Sequence, residues 1–414
     1  MLRKPAAWPS SLALLLLTTS IARADDPVPV PVPEPPAASP PVQPAPGPSP
    51  AADPGATLKL TPLGYVEAFY SWNFNRPSNG LTNYRAFDDR HDSFTLSNVA
   101  LGASWEYGEV TGKIVLQVGH TPNLYYAGEP FSAGAGGAGP SDGNTWKYLQ
   151  EANIGWKAPV GRGLLLQMGL FLSPIGPETI PVKDNWNWSR SNLFYTLPYY
   201  HAGIRATYDL GAGWAATAGA YNGWNNVVDN NEDKSVSANV NYKKGILSAQ
   251  ALYFGGVERS TGAAEGPYWR HDFDAYAQID ATPSLSFLAS VNAGLEPSRF
   301  GTSDWYGAAI YGRFKAASWL YLAARGDTFY SDAGSNASGT ASPIFWPAKR
   351  VTSATATLDA RPHDGISIRL EYRHDQADTE LYFRGTVTGD GAVLPYVPNA
   401  RSQDTLTMGA TAWF

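Results

Sequence analysis

Cysteine is absent from the 414 residues, which removes disulfide staples, cysteine zinc sites, thiol nucleophiles and lipid attachment to an N-terminal cysteine. Charge is scarce as well. Asp, Glu, Lys and Arg make up 16% of the chain, where a soluble globular domain carries about 25%. Beyond the N-terminus there is no apolar run of the roughly 18 residues a membrane-crossing helix needs, the longest candidate being Leu164 to Leu172, so a helical membrane bundle is excluded. The six histidines, His91, His120, His201, His271, His363 and His374, show no metal-ligand spacing, and no serine sits in a nucleophile elbow. A net charge of −6 argues against nucleic acid as a partner.

What the chain does contain is rings and punctuation. Aromatics reach 13%, with 23 Tyr and 14 Trp, and 41 Gly with 33 Pro interrupt any long helical pattern. Arg3 and Lys4, the apolar stretch from Leu12 to Leu17 and the small-residue site Ala22-Arg23-Ala24 read as a secretory signal peptide over residues 1–24. Residues 25–59, with PVPVPVPEPP from Pro27, read as a Pro-rich disordered periplasmic tether that cannot bury enough apolar surface to fold. Extended as polyproline II, its residues 27–55 reach about 90 Å. A plain spacer and an arm that engages peptidoglycan both remain open.

From residue 60 to 414 segments of about ten residues alternate apolar with polar or small side chains, the pattern of a transmembrane antiparallel β-barrel. In the stretch Ile366 to Asp375, Ile366, Ile368, Leu370 and Tyr372 share one face, while Ser367, Arg369, Glu371, Arg373 and Asp375 share the other. Ionisable groups spaced two apart need water or each other, and the opposite face needs hydrocarbon. The parity recurs. Val66, Ala68, Tyr70 and Trp72 oppose Tyr65, Glu67, Ser71 and Asn73, and Phe273, Ala275, Ala277 and Ile279 oppose Asp272, Asp274, Tyr276 and Gln278. In Trp214 to Trp224 and Ile246 to Phe254 both faces are rich in Ala and Gly, so alternation alone leaves the register open.

Connections alternate in length. Short ones fall near residues 107–112, 158–163, 211–213, 243–245, 281–284, 316–318 and 361–365, and long ones lie between them, predicting about sixteen strands with the short turns on the periplasmic side. An even count places both ends of the barrel there and lets first and last strands pair. Trp72, Trp105, Tyr107, Trp146, Trp156 and Tyr372 lie near segment ends and are expected in the two aromatic girdles. The terminal TLTMGATAWF, ending in Phe414, has the form of a barrel-assembly signal.

The opening GYVEAFYSWNFNRPSNG, the central YNGWNNVVDNN from Tyr221 to Asn231, and the segments LYLAARGDTFYSD and TATLDARPHDGISIRLEYRHD together resemble the OmpL-like β-barrel porins of Gram-negative bacteria, over most of the chain from about residue 60. The resemblance implies an outer-membrane channel for small solutes. The Pro-rich arm is not part of it.

On that reading selectivity rests on inward charges and on any loop folded into the lumen. Arg205, Arg313, Arg325, Asp327, Arg369, Glu371 and Arg373, with Glu67 and Glu151, are expected to line the pore. The arginines would form a basic wall opposite carboxylates that include Asp209, Asp272 and Asp274, favouring anions weakly. Mutual pairing of these charges is the competing account. The aromatic segment Ser173 to Tyr200 is expected to fold inward as the constriction, lined by Glu178, Lys183, Asp184 and Arg190, with Trp186 and Trp188 packed against the wall. A surface lid or a trimer contact is the alternative.

The expected function is passive diffusion of small hydrophilic solutes or ions, without cofactor, metal or catalysis. Paired carboxylates such as Glu371 with Asp375 occur on any charged lumen face and do not by themselves make a glycosidase. The run Asp229 to Asp233 lacks the ligand spacing and glycine of a calcium loop. Expected partners are outer-membrane lipid and lipopolysaccharide, the barrel-assembly machinery, the transported solute, peptidoglycan through the arm, and a homotrimer. A structural barrel tethered to the cell wall and a sugar-selective channel are the rival readings.

Overall fold

The computed structural model describes residues 57–131 and 141–414; the expected signal peptide and nearly all of the Pro-rich tether lie outside the described residues. Sixteen strands close a single barrel in which every neighbouring pair is antiparallel. In chain order they begin with β1 (Leu58–Asn73), β2 (Ser93–Tyr107), β3 (Val110–Val118), β4 (Leu149–Ala158), β5 (Leu164–Leu172) and β6 (Tyr200–Gly211). Next come β7 (Trp214–Tyr221), β8 (Ser235–Lys244), β9 (Leu247–Val257), β10 (Trp269–Thr282), β11 (Leu285–Glu296), β12 (Ser303–Ala317) and β13 (Leu320–Asp332). A two-strand ladder of β14 (Ser335–Asn336) and β15 (Gly339–Thr340) sits in the following loop, and β16 (Arg350–Ala360), β17 (Ile366–Ala377) and β18 (Ser402–Trp413) complete the wall. Closure comes from β1 on β18, in register from Tyr65 with Trp413 to Asn73 with Thr405, which leaves no free edge.

Burial is inverted relative to a soluble sheet. Ile310 is 67% exposed on the outer face, whereas Arg369 is 0% exposed on the inner one. Hydrocarbon around the barrel satisfies the first, and polar partners inside satisfy the second. The segments left open by alternation are settled by packing: Tyr221, Leu252 and Phe254 point inward and are buried in one cluster with Phe171, Ile175 and Leu197. The short turns are built on positive φ, as at Gly108 (57°) and Gly245 (59°), where a side chain would be strained.

Tyr107, Trp156 and Tyr372 are exposed on outward-facing strand positions, and the Trp156 indole donates to Glu109 Oε2 at 3.0 Å beside a short turn. Trp72 and Trp105 share that outward parity. Trp146 does not. It lies in the short helix Gly143–Trp146 within the β3–β4 connection, donates to Ser141 Oγ at 2.8 Å and packs on a buried cluster containing Phe87, Tyr125 and Tyr200. The expected girdle role is therefore corrected: ring content near a segment end does not distinguish a strand terminus from a loop helix. Phe414 is exposed, and its backbone N–H donates to the Gly64 carbonyl across the seam at 3.1 Å.

Candidate functional site

The connection between β5 and β6, residues 173–199, is pinched at its base where the Ser173 N–H donates to the Tyr199 carbonyl at 3.0 Å. Its shape is local chemistry. Gly176 turns at φ 78°, the Asn185 side chain accepts from Thr179 N–H at 2.9 Å and donates to the Thr179 carbonyl at 2.8 Å, and Ser191 caps the short helix Asn192–Thr196 by accepting from Phe194 N–H at 3.1 Å. Glu178 accepts from Ser191 N–H at 3.0 Å, so its carboxylate braces the segment from within.

Polar main chain shut away from water must find partners, and here the barrel wall provides them. Glu67 on β1 accepts from Val182 N–H at 2.6 Å; Glu371 on β17 accepts from Trp188 N–H at 2.6 Å and Ser189 N–H at 2.9 Å. Arg369 donates to the carbonyls of Val182 at 3.1 Å and Asn187 at 2.9 Å, and Arg325 on β13 donates to Ser189 at 2.6 Å and Arg190 at 3.2 Å. Arg373 donates to the Arg190 carbonyl as well. Asp327 accepts from Asn192 N–H at 3.0 Å, and Asp274 on β10 accepts from Gly176 N–H at 3.0 Å. A connection that leaves the ring at β5 thus touches β1, β10, β13 and β17, which only a chord across the interior can do. Bonds to ionised side chains are shorter and stronger than neutral ones, so the docking is firm.

These contacts correct the expected basic wall. Arg325, Arg369 and Arg373 have the inward parity, but they are buried at 3%, 0% and 2% exposure beneath the connection, and Glu67, Glu371 and Asp327 are buried with them. They hold the segment instead of facing water. Arg190, expected as a lining residue, is also buried; it donates to the carbonyls of Thr179 and Trp188 at 3.2 and 2.8 Å and lies over the rings of Phe87 and Phe194. Glu178 is turned toward Arg325 at 3.1 Å. Trp188 is buried against Phe69 on β1 with ring centroids 6.1 Å apart.

The groups that remain open are fewer. Lys183 and Asp184 pair with each other at 2.9 Å and are partly exposed. The Arg313 guanidinium stacks between Trp186, 4.8 Å from its ring centroid, and Tyr321, at 5.5 Å; Lys315 lies 5.6 Å from the Tyr321 centroid. Arg205 donates to Gln167 at 2.9 Å and rests 4.1 Å over Phe171. Among the described residues these three cations form no ion pair, whereas Glu151 pairs with Lys113. A cavity of about 520 Å³ on the short-turn side is lined by Lys59, Glu106, Lys113, Glu151, Gln167 and Arg205.

Sequence reading missed the outer latch. Arg85, in the β1–β2 connection, binds Asp88 and reaches Asp375 on β17 at 3.0 Å. Burial would push the Asp88 carboxyl up, but Arg85 beside it, with Arg373 and Arg190, holds it below the usual carboxylate range. The residue pattern offered no signal for this pair, since partners 290 positions apart meet only in the closed barrel. Asn185 and Asn187 were legible in principle, because they alternate with Trp186 and Trp188 as strand-like faces do.

A family model described as putative beta-barrel porin-2, OmpL-like, matches residues 59–414. Among solved structures the chain is similar to the outer-membrane channel DcaP of Acinetobacter baumannii, with a TM-score of 0.55 and 15% identity over 86% of this chain and 97% of that one. It is similar to an anion-selective porin from Comamonas acidovorans, with a TM-score of 0.54 and 11% identity over 86% and 100% of the two chains. The trimer form of Vibrio cholerae OmpT gives a TM-score of 0.54 and 10% identity over 86% and 99%. At these identities the likeness is one of fold. No curated protein matches the sequence.

Proposed function

Since the chain belongs to the OmpL-like β-barrel porin family and is an outer-membrane porin, we propose that residues 173–199 are its constriction and that small hydrophilic solutes pass beside them by passive diffusion. The observation that carries this is the docking of the segment's main chain on wall charges from both sides of the ring. A segment held so firmly narrows the lumen permanently, and the charges left in water set the ion preference. They include the cations Arg205, Lys243, Arg313 and Lys315 on one side and the inward carboxylates Asp209 and Asp280 on the other, a balance that favours anions weakly. The carboxylates Glu371 and Asp375 are engaged, the first by the segment and the second by Arg85 and Arg373, which supports transport without catalysis at that pair.

Reconstitution in a planar bilayer tests the reading. Stable open steps are expected, larger in Glu371→Gln, which weakens two hydrogen bonds of about 1.5–3 kcal/mol each. Silence would favour a plugged, structural barrel, and steps unaltered by the substitution would remove residues 173–199 from the permeation path.

Strand length favours a trimer. β3, β5 and β7 have 9, 9 and 8 residues, against 16 in β1 and 15 in β12. At a tilt near 45° eight residues rise about 19 Å, short of an apolar band of about 25 Å. The outer face of this low wall is an apolar dip in which Ala206, Ala218 and Ala220 lie between the exposed side chains of Ile154, Trp156, Met168 and Ile204, and a neighbouring copy would cover it. Ala218→Trp is then expected to shift the detergent-solubilised mass from three chains toward one by light scattering. A wild-type mass of one chain would end the trimer reading.

A further inference from the structure

On the long-loop side of the constriction, five connections meet around a cavity of about 540 Å³, within the range of about 300–1,000 Å³ typical of small-ligand sites. Five rings stand in its wall, Tyr84, Tyr195 and Tyr199 with Trp224 and Phe345. The rings are preset by what lies behind them. Tyr195 stacks on Trp346 at 5.6 Å, Tyr199 on Phe194 at 5.4 Å, and Tyr84 meets the edge of Tyr195 at 6.0 Å. Arg270 holds Trp224 from 5.0 Å, and Phe345 is wedged edge-on against Trp305 and Phe329. Rings already ordered cost little to bring to a ligand.

The charges in this lining are spent. Arg85 is taken by Asp88 and Asp375, Arg270 by Glu296, and Asp89 by His120. The polar groups that remain are neutral. Among the described residues the hydroxyls of Tyr84 and Tyr195 and the indole N–H of Trp224 have no protein partner, although all three residues line the cavity with Asn83, Thr196 and Asn225. An aromatic anion would require a free cation that the lining lacks. A purely apolar solute would strand three donors. A neutral pyranose ring offers C–H faces for the rings and hydroxyls for the donors.

The geometry points to this vestibule as a binding site for a neutral cyclic sugar, which loads there before reaching the constriction; only this order of events rests on the porin reading. Binding itself is read by calorimetry on the full chain in detergent, with glucose and maltose as probes, mannitol as the acyclic control and benzoate as the aromatic anion. Saturable heat with glucose or maltose, and none with mannitol or benzoate, is expected. Tyr84→Ala and Tyr195→Ala should each weaken it by about threefold to tenfold, the worth of a stacked ring. Circular dichroism and heat-dependent gel mobility verify the folded barrel, and Tyr84→Phe, which keeps the ring, should lose less than Tyr84→Ala. No sugar binding, binding of benzoate alone, or affinities unmoved in both alanine variants overturns the proposal. A preparation that conducts ions but binds neither sugar sinks the vestibule and leaves the porin intact. One that binds sugar but never conducts does the reverse.

Discussion

Two arcs of the same inner wall have been put to different uses. Along β13, β16, β17 and β1 the inward positions carry Arg325, Asp327, Asp359, Arg369, Glu371, Arg373 and Glu67, and nearly all of them are buried against residues 173–199 or against one another. Along β4 to β9 the inward positions are mostly amides, hydroxyls and small residues, such as Asn153, Gln167, Ser237, Asn239 and Asn241, with Arg205 and Lys243 as cations that form no ion pair among the described residues. Both arcs obey one alternation, yet charge is concentrated where protein covers it and thinned where water remains. A loop crossing a lumen presents bare N–H and C=O groups in quantity, and ionised partners satisfy them more strongly than neutral ones.

The contrast can be broken most directly at the arginines. Replacing Arg325, Arg369 and Arg373 together with Gln removes donors from four loop carbonyls, and each broken buried pair costs about 3–5 kcal/mol. Larger and noisier single-channel steps are expected, with little change in ion preference; a clean shift of reversal potential at constant step size would return these residues to the water-filled path. The opposite pattern should appear in Arg313→Gln with Lys315→Gln. There the step size stays near wild type, while the reversal potential under a salt gradient moves toward cations, and an unmoved potential would show that the exposed cations do not set selectivity.

The smallest effect concerns acid. Because Asp88 titrates below its unfolded range of about 4, its share of loop stability is complete at neutral pH and is lost only as pH falls through that lowered value. The excess of current noise in Asp88→Asn over wild type should therefore hold constant from pH 7 down to about 4, and an excess that vanishes near pH 5 would contradict the pairing with Arg85.

Much of the architecture is legible in the sequence. Ile366 to Asp375 announced an oil face and a polar face, and the alternation of short and long connections gave the strand count that closure confirms. Trp146 shows the limit of such reading, because an aromatic residue beside a strand and one on a loop helix look alike in one dimension. Arg369 shows the deeper limit. Its inward parity followed from its neighbours, but whether it met solvent or the Val182 carbonyl depended on a segment 187 residues away.

The order of residues alone therefore determined which side chains face lipid and which face the interior, since a period of two is a property of the extended backbone and needs no partner beyond the next strand. Only the closed ring decided which interior charges clamp the crossing segment and which stay in water. That choice is made by contacts between distant parts of the chain, and local patterning carries no record of them.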